Sequence, residues 1–357
     1  MANRVWLFYS LSIALSLCFG AGLSRAQDAG NTPLPLSQIK YWAYQIQKLD
    51  FPGEVDDLAE SHYDMLVIEP TRTDWSSDSK NFDTKGMVER LKATKASDGV
   101  HRKLVIAYID IGEAEDWRWY WKWSTEENFE GGGPLPTDWP DYIIARDPDG
   151  WTGNYPVAYW NDRWKDIVIY GRNQNSAPYG DYTSVIDEAL ESGFDGIYLD
   201  WVEGFENMEV IAAAAKAGKD PAVEMINFIR EMKEYAQDRV PDFLIIQQNA
   251  AALIDGNSEA LLGVIDAIAQ EEVWYGGSSG DTWDAVEGYD IPTAPGLVAE
   301  YINWLDWYIA SGTPVFNVEY ALNFSSDGYS KSYAKGYVPY CTRRSLGNLT
   351  TTPPPGY

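Results

Sequence analysis

The chain has 357 residues, with 27 Lys and Arg against 54 Asp and Glu, a formal net charge of −27. So large an excess of carboxylate repels polyanions, which argues against nucleic acid as a partner, and draws cations in. Two histidines and two cysteines are too few for a His/Cys metal cluster, so neither a metal nor another cofactor is expected.

In chain order, residues 1–26 read first as a secretory signal. Arg4 supplies the positive start, a long apolar stretch follows, and Ser24-Arg25-Ala26 places small residues where a signal peptidase cuts. The competing reading is a retained anchor, since ~18 apolar residues can span a bilayer. No later segment is long and apolar enough to cross, so a secreted or periplasmic monomer, free of the membrane after cleavage, is expected. Cleavage would remove Arg4, Arg25 and Cys18, leaving a net charge of −29, a lone Cys341 and no possible intrachain disulfide. Residues 27–40 read as a polar, Pro-containing linker.

Eight β-type apolar runs follow: 41–46, 64–70, 103–110, 196–200, 243–249, 267–275, 314–320 and 336–341. Between them lie amphipathic patterns at 85–94, 183–193, 222–238 and 297–312, the last closed by Gly312. Alternation of this kind predicts α/β architecture, a single (β/α)8 barrel over residues 41–345. Residues 116–175, rich in Trp, Gly and Pro, form an insertion after the third strand and are expected to wall a cleft. Residues 346–357 read as a polar tail.

The stretch GFDGIYLDWVE at 193–203 poses the functional question, because an apolar run ends on Asp200 with Trp201 and Glu203 just beyond. Acids recur at the ends of other runs: Glu69, Asp110, Glu271 with Glu272, and Glu319. Any one of them could cap the next helix, worth ~1 kcal/mol. Together they are better explained by the active-site rim that forms at the C-terminal ends of barrel strands. Carboxylates converging there can do acid/base and nucleophilic work, as in glycoside hydrolysis. Asp200 and Glu271 are the expected pair, Asp200 as nucleophile and Glu271 as acid/base in a retaining reaction. Trp201 and Trp274 flank them, and DWRWYWKW at 116–123 offers Trp117, Trp119, Trp121 and Trp123 for stacking on sugar faces. The bland alternative is that these aromatics fill the core.

Two other motifs carry less. GGSSG at 276–280 fits a nucleophile elbow, but both histidines lie upstream of it, where that fold has no use for them. Asp147-Pro-Asp149-Gly150 could hold calcium and is more simply a turn.

The segments YQIQ (44–47), YIDIGEAEDWR (108–118), GFDGIYLDWVEGFE (193–206), QQNA (247–250), IDAIAQEEVWY (265–275) and PVFNVEY (314–320) together resemble glycoside hydrolase family 114. That family comprises the endo-α-1,4-polygalactosaminidases and their bacterial relatives. The resemblance runs from about residue 41 to 341 and implies a TIM-like barrel. It implies Asp200 as one catalytic carboxylate and Glu271 as the other, with Glu272 the rival for the second role. It also implies sugar contacts from Glu69, Tyr108, Asp110, Asn249, Glu319 and Tyr320, with Arg118 orienting a carboxylate. Trp201 and Val273 depart from the fungal members, beside the expected chemistry.

The expected partner is therefore a polysaccharide, most simply a cationic polymer of α-1,4-linked galactosamine, whose ammonium groups would pair with the surplus acids. Two alternatives stay open: a glycosidase acting on a neutral α-glycan, and a catalytically silent sugar-binding barrel.

Overall fold

A computed structural model of the chain describes residues 31–70, 82–121, 135–148, 150–171, 182–277 and 290–357. The expected signal peptide, Trp123, Asp149 and part of the 276–280 Gly/Ser loop lie outside these residues. Among the described residues, no helix is long and apolar enough to cross a membrane.

Eight strands form one sheet in chain order: β1 Trp42–Gln45, β2 Met65–Ile68, β3 Leu104–Asp110, β4 Gly196–Asp200, β5 Leu244–Gln248, β6 Ala267–Glu271, β7 Val315–Glu319 and β8 Val338–Cys341. Every adjacent pair is parallel, so all C-terminal ends share one rim. Helices fill the crossovers: α1 Glu54–Glu60, α2 Thr84–Lys92, α3 Val185–Ser192, α4 Met208–Lys216, α5 Pro221–Gln237, α6 Ser258–Leu262, α7 Pro295–Ala310 and α8 Ser325–Lys335. This is the expected (β/α)8 barrel. The β1–β8 seam is bridged by Trp42, whose indole donates to the Val338 carbonyl at 2.8 Å, and by the amides of Ile46 and Gln47, which donate to the Leu346 carbonyl.

Local chemistry agrees with these boundaries. Asn207 caps α4 and Asp220 caps α5, where Pro221 opens the first turn; Ser184 caps α3. After α7, Gly312 takes the left-handed conformation that ends a helix.

Period-two alternation sends Tyr198 and Asp200 to the inside of the barrel and Ile197 and Leu199 to the helices. The lower interior is aromatic. Trp42 packs against Phe316, Tyr340 and Tyr198 with ring centroids 5.5–6.3 Å apart, and Tyr44 lies 5.2 Å from Tyr198. Below it, at the N-terminal ends of the strands, acids are matched by bases: Arg102 forks onto Asp195, which Lys92 also contacts. Within the insertion, Glu113–Glu115 pairs antiparallel with Asn154–Pro156, and residues 162–170 are helical. The C-terminal segment lacks a helix but is not loose, since Tyr357 stacks on Tyr63 at 4.5 Å.

Candidate active site

The mouth is shaped by backbone strain at three adjacent strand ends. Trp201, Asn249, Ala250 and Glu272 all have φ between 53° and 58°, and they follow β4, β5 and β6 directly. Non-glycine residues avoid that region at a cost of roughly 1–3 kcal/mol each, and such strain gathers where function requires it. The turn after β4 folds the Trp201 amide back onto Asp200 Oδ1 at 2.8 Å. It also drives the Trp201 indole into a slot. A Cβ on Gly112 would stand 2.3 Å from the Trp201 carbonyl oxygen, and one on Gly204 would stand 2.6 Å from the ring. Trp201 is therefore buried between two glycines and presents no face to a sugar.

Asp200 and Glu271 both stand partly exposed in the mouth, as expected. Their settings are alike. Asp200 Oδ1 faces an N–H that only donates, and Oδ2 accepts from the Tyr108 hydroxyl at 2.5 Å. Glu271 Oε2 accepts from the side-chain amides of Gln248 at 2.9 Å and Asn249 at 3.0 Å, and Oε1 accepts from the Tyr320 hydroxyl. Each acid thus has one oxygen beside a tyrosine hydroxyl, a group able to donate or to accept. Burial, then the charge of Glu271, pushes the Asp200 carboxyl up to about 7. The Trp274 ring expected to flank Glu271 does not line its carboxyl. Trp274 turns away, its amide donating to Glu319 and its indole to Ser332.

Asn249 links three groups. Its Oδ1 accepts from the Glu271 amide at 2.9 Å and from Gln270, while its Nδ2 reaches Glu271 and, at 3.4 Å, Glu203 Oε1. Glu203 is a third carboxyl of the mouth, and its pKa is raised by burial and by Asp200. It was not among the expected site residues. It comes three positions after Asp200 in DWVE, but its direction depends on the left-handed turn at Trp201, which nothing in the local sequence announces.

The remaining rim acids are turned to structural use. Asp110 Oδ1 caps the following loop by accepting from the amides of Gly112 and Glu113, and burial and Glu115 push its pKa well up. Glu69 takes a forked ion pair from Arg118, which also holds Glu115, so Arg118 does orient carboxylates. Glu319 has no exposed surface. It accepts from the amides of Trp274 and Tyr275 and from Asn317, and burial still pushes it up to about 8. Glu272 points to Arg344, whose guanidinium lies over the Tyr320 ring. Asp110 and Glu319 thus accept from backbone amides of loops, though neither caps the next helix, and Glu319 has both oxygens engaged.

The Trp-rich loop is largely core. Trp121 stacks on Tyr155 at 5.0 Å and is buried with Trp139. Trp119 packs on Tyr182 at 5.0 Å, and one face of Trp117 is covered by Arg118 at 3.9 Å. Trp117 and Trp119 keep some exposure; Trp121 does not.

With this geometry in view, the chain can be set beside known proteins. The model of glycoside-hydrolase family GH114 matches residues 23–354. A protein of Methanocaldococcus jannaschii is 30% identical over 346 residues, covering 92% of this chain and 84% of that one. A protein of Thermotoga maritima is 28% identical over 346 residues, covering 94% and 89%. The glycoside hydrolase domain of PelA from Pseudomonas aeruginosa shares the fold at TM-score 0.54 and 14% identity, over 87% of this chain and 97% of that domain. Aspergillus fumigatus Ega3, solved in complex with galactosamine, shares it at TM-score 0.53 and 15% identity, over 90% and 98%. By the extent of the family match and the identity of its relatives, the chain belongs to glycoside-hydrolase family GH114.

Proposed function

We propose that this glycoside hydrolase is secreted and cleaves polysaccharide containing α-1,4-linked galactosamine, with Asp200 and Glu271 as the reacting pair. One observation carries the reading: two partly exposed carboxyls in one mouth, each with one oxygen beside a tyrosine hydroxyl, Asp200 being pushed up to about 7 by burial and then by the charge of Glu271. Hydrolysis by an acid and a nucleophile requires two carboxyls that face one bond. In the reaction, Glu271 protonates the leaving glycosidic oxygen while Asp200 attacks the anomeric carbon. Water, deprotonated by Glu271, then releases the sugar from Asp200 with net retention.

A second reading reverses the two roles, and the raised pKa of Asp200 favours it. Azide separates them. If Asp200 is the nucleophile, Asp200→Ala with azide forms a glycosyl azide of inverted configuration, and Glu271→Ala forms one of retained configuration. The opposite pattern reverses the assignment. Mass and proton NMR analysis of products from deacetylated galactosaminogalactan tests the activity itself. Release of no oligosaccharide from that polymer, with release from a neutral α-glycan, would move the substrate to the neutral class.

A further inference from the structure

Among the described residues, Asp200, Glu203 and Glu271 lack a paired cation, as do the buried Asp110 and Glu319, whose carboxyls serve loop amides. Glu69 and Glu115 have Arg118, Glu272 has Arg344, and Asp290 has Arg343. No Lys or Arg among the described residues pairs with Asp200, Glu203 or Glu271, whose partners are hydroxyls and amides. Uncompensated carboxyls in a confined site are costly without a counterion.

Within the trio, Glu203 is the least occupied. Beyond an interaction with its own backbone amide, its carboxyl has the long 3.4 Å contact of Oε1 with Asn249, and its Oε2 has no hydrogen-bond partner. Asp200 and Glu271 are each held by two or three short bonds, so Glu203 is free to take a new partner. A second, independent sign lies directly beneath. Tyr198, inward-facing on β4 two residues before Asp200, is 0% exposed, and its hydroxyl has no partner. The acids that bear on that phenol are Glu271, Asp200 and Glu203. An unsatisfied hydroxyl under three uncompensated carboxyls marks a place completed by a polar, positively charged guest. Tyr301 on α7 lies near the same carboxyls, and the exposed Glu206 and Glu300 continue the negative potential outward.

We infer that Glu203 is the specificity-determining residue that pairs with the ammonium group of an amino sugar seated against Asp200 and Glu271. The inference rests on the amino-sugar reading above and adds the residue that selects the free amine. An N-acetyl group at that position carries no charge and brings bulk, so it would leave Glu203 uncompensated.

The test compares wild type with Glu203→Gln on a fully deacetylated α-1,4-galactosamine oligosaccharide and on its N-acetylated counterpart. The expected result is at least a tenfold loss of kcat/KM on the deacetylated oligosaccharide, mainly through KM. On the N-acetylated one the change should stay within about threefold, because that sugar has no ammonium to lose its partner. Glu203→Asp, which keeps the charge but shortens its reach, should retain part of the preference. Unchanged preference in Glu203→Gln overturns the inference, as does an equal fall of kcat on both oligosaccharides, which would make Glu203 part of bond cleavage. Calorimetry with free galactosamine and N-acetylgalactosamine separates this from a failure of the substrate class. If wild type cleaves neither oligosaccharide but binds galactosamine and Glu203→Gln does not, Glu203 still selects the amine. Galactosamine binding of equal strength in both proteins rejects it.

Discussion

Asn249 and Glu271 hold each other reciprocally: the Glu271 amide donates to Asn249 Oδ1 at 2.9 Å, and Asn249 Nδ2 donates back to Glu271 Oε2 at 3.0 Å. The double bond of contacts crosses from the end of β5 to the end of β6 and fixes where one reacting carboxyl stands. It is possible because Asn249 adopts φ 53°, a conformation asparagine tolerates better than most residues. Asn249→Ala should lower kcat by about 100-fold, as expected when a reacting group loses its positioning. A steady-state assay with kcat within threefold of wild type would show that Glu271 needs no such support.

Asp200→Asn should abolish turnover and leave the melting temperature unchanged or slightly higher. The variant removes a half-buried carboxyl that ionises against its surroundings, while Tyr108 and the Trp201 amide remain to bond the side chain. Activity near wild type, measured by reducing-end release, would exclude Asp200 from the chemistry.

The pH dependence of stability follows from the direction of the shifts. Asp200 and Glu319 are raised to about 7 and about 8, mainly by burial, above their values of 3.8 and 4.5. Between the ordinary and the raised values the folded protein binds more protons than the unfolded chain. Stability contributed by the protonated forms is therefore present at low pH and lost as pH rises through the folded values. Differential scanning calorimetry should show the melting temperature falling by several degrees from pH 5 to pH 8. Asp200→Asn should flatten the part of the slope below pH 7, between the ordinary and the raised value of that carboxyl.

Glu319→Ala should unsettle the site from below rather than weaken sugar contacts. Three donors, the amides of Trp274 and Tyr275 and the side chain of Asn317, would lose their acceptor in a position without solvent. An unmet buried donor costs about 1–3 kcal/mol. The expected outcome is a clear fall in denaturation midpoint together with lower kcat. A normal midpoint with raised KM alone would restore Glu319 as a direct sugar contact.

Ionic strength tests the long-range part of the attraction. The Debye length shrinks from ~10 Å at 0.1 M to ~3 Å at 1 M salt, so KM on a deacetylated polymer should rise while kcat changes less. KM independent of salt would remove electrostatic capture of the polymer from the account.

The barrel, its strand ends and a candidate pair of acids were legible in the sequence, because these depend on local patterns. Apolar runs separated by amphipathic segments are legible one element at a time, and the parallel rule places all strand ends on one rim. GIYLD already located Asp200 there, and AIAQEEVWY narrowed the second acid to Glu271 or Glu272. What distinguishes them is tertiary: the left-handed turn at Glu272 sends its side chain to Arg344, a residue 72 positions away, while Glu271 stays in the mouth beside Asn249. The same holds for the sorting of the acids. Asp110 and Glu319 read like Asp200 in the sequence, yet they are buried against loop amides, whereas Asp200, Glu203 and Glu271 stand partly exposed in the mouth. The aromatic loop left stacking and core filling both open for a related reason. Whether Trp121 faces a sugar or Tyr155 depends on where the chain brings residue 155, and no periodicity within 116–123 carries that information.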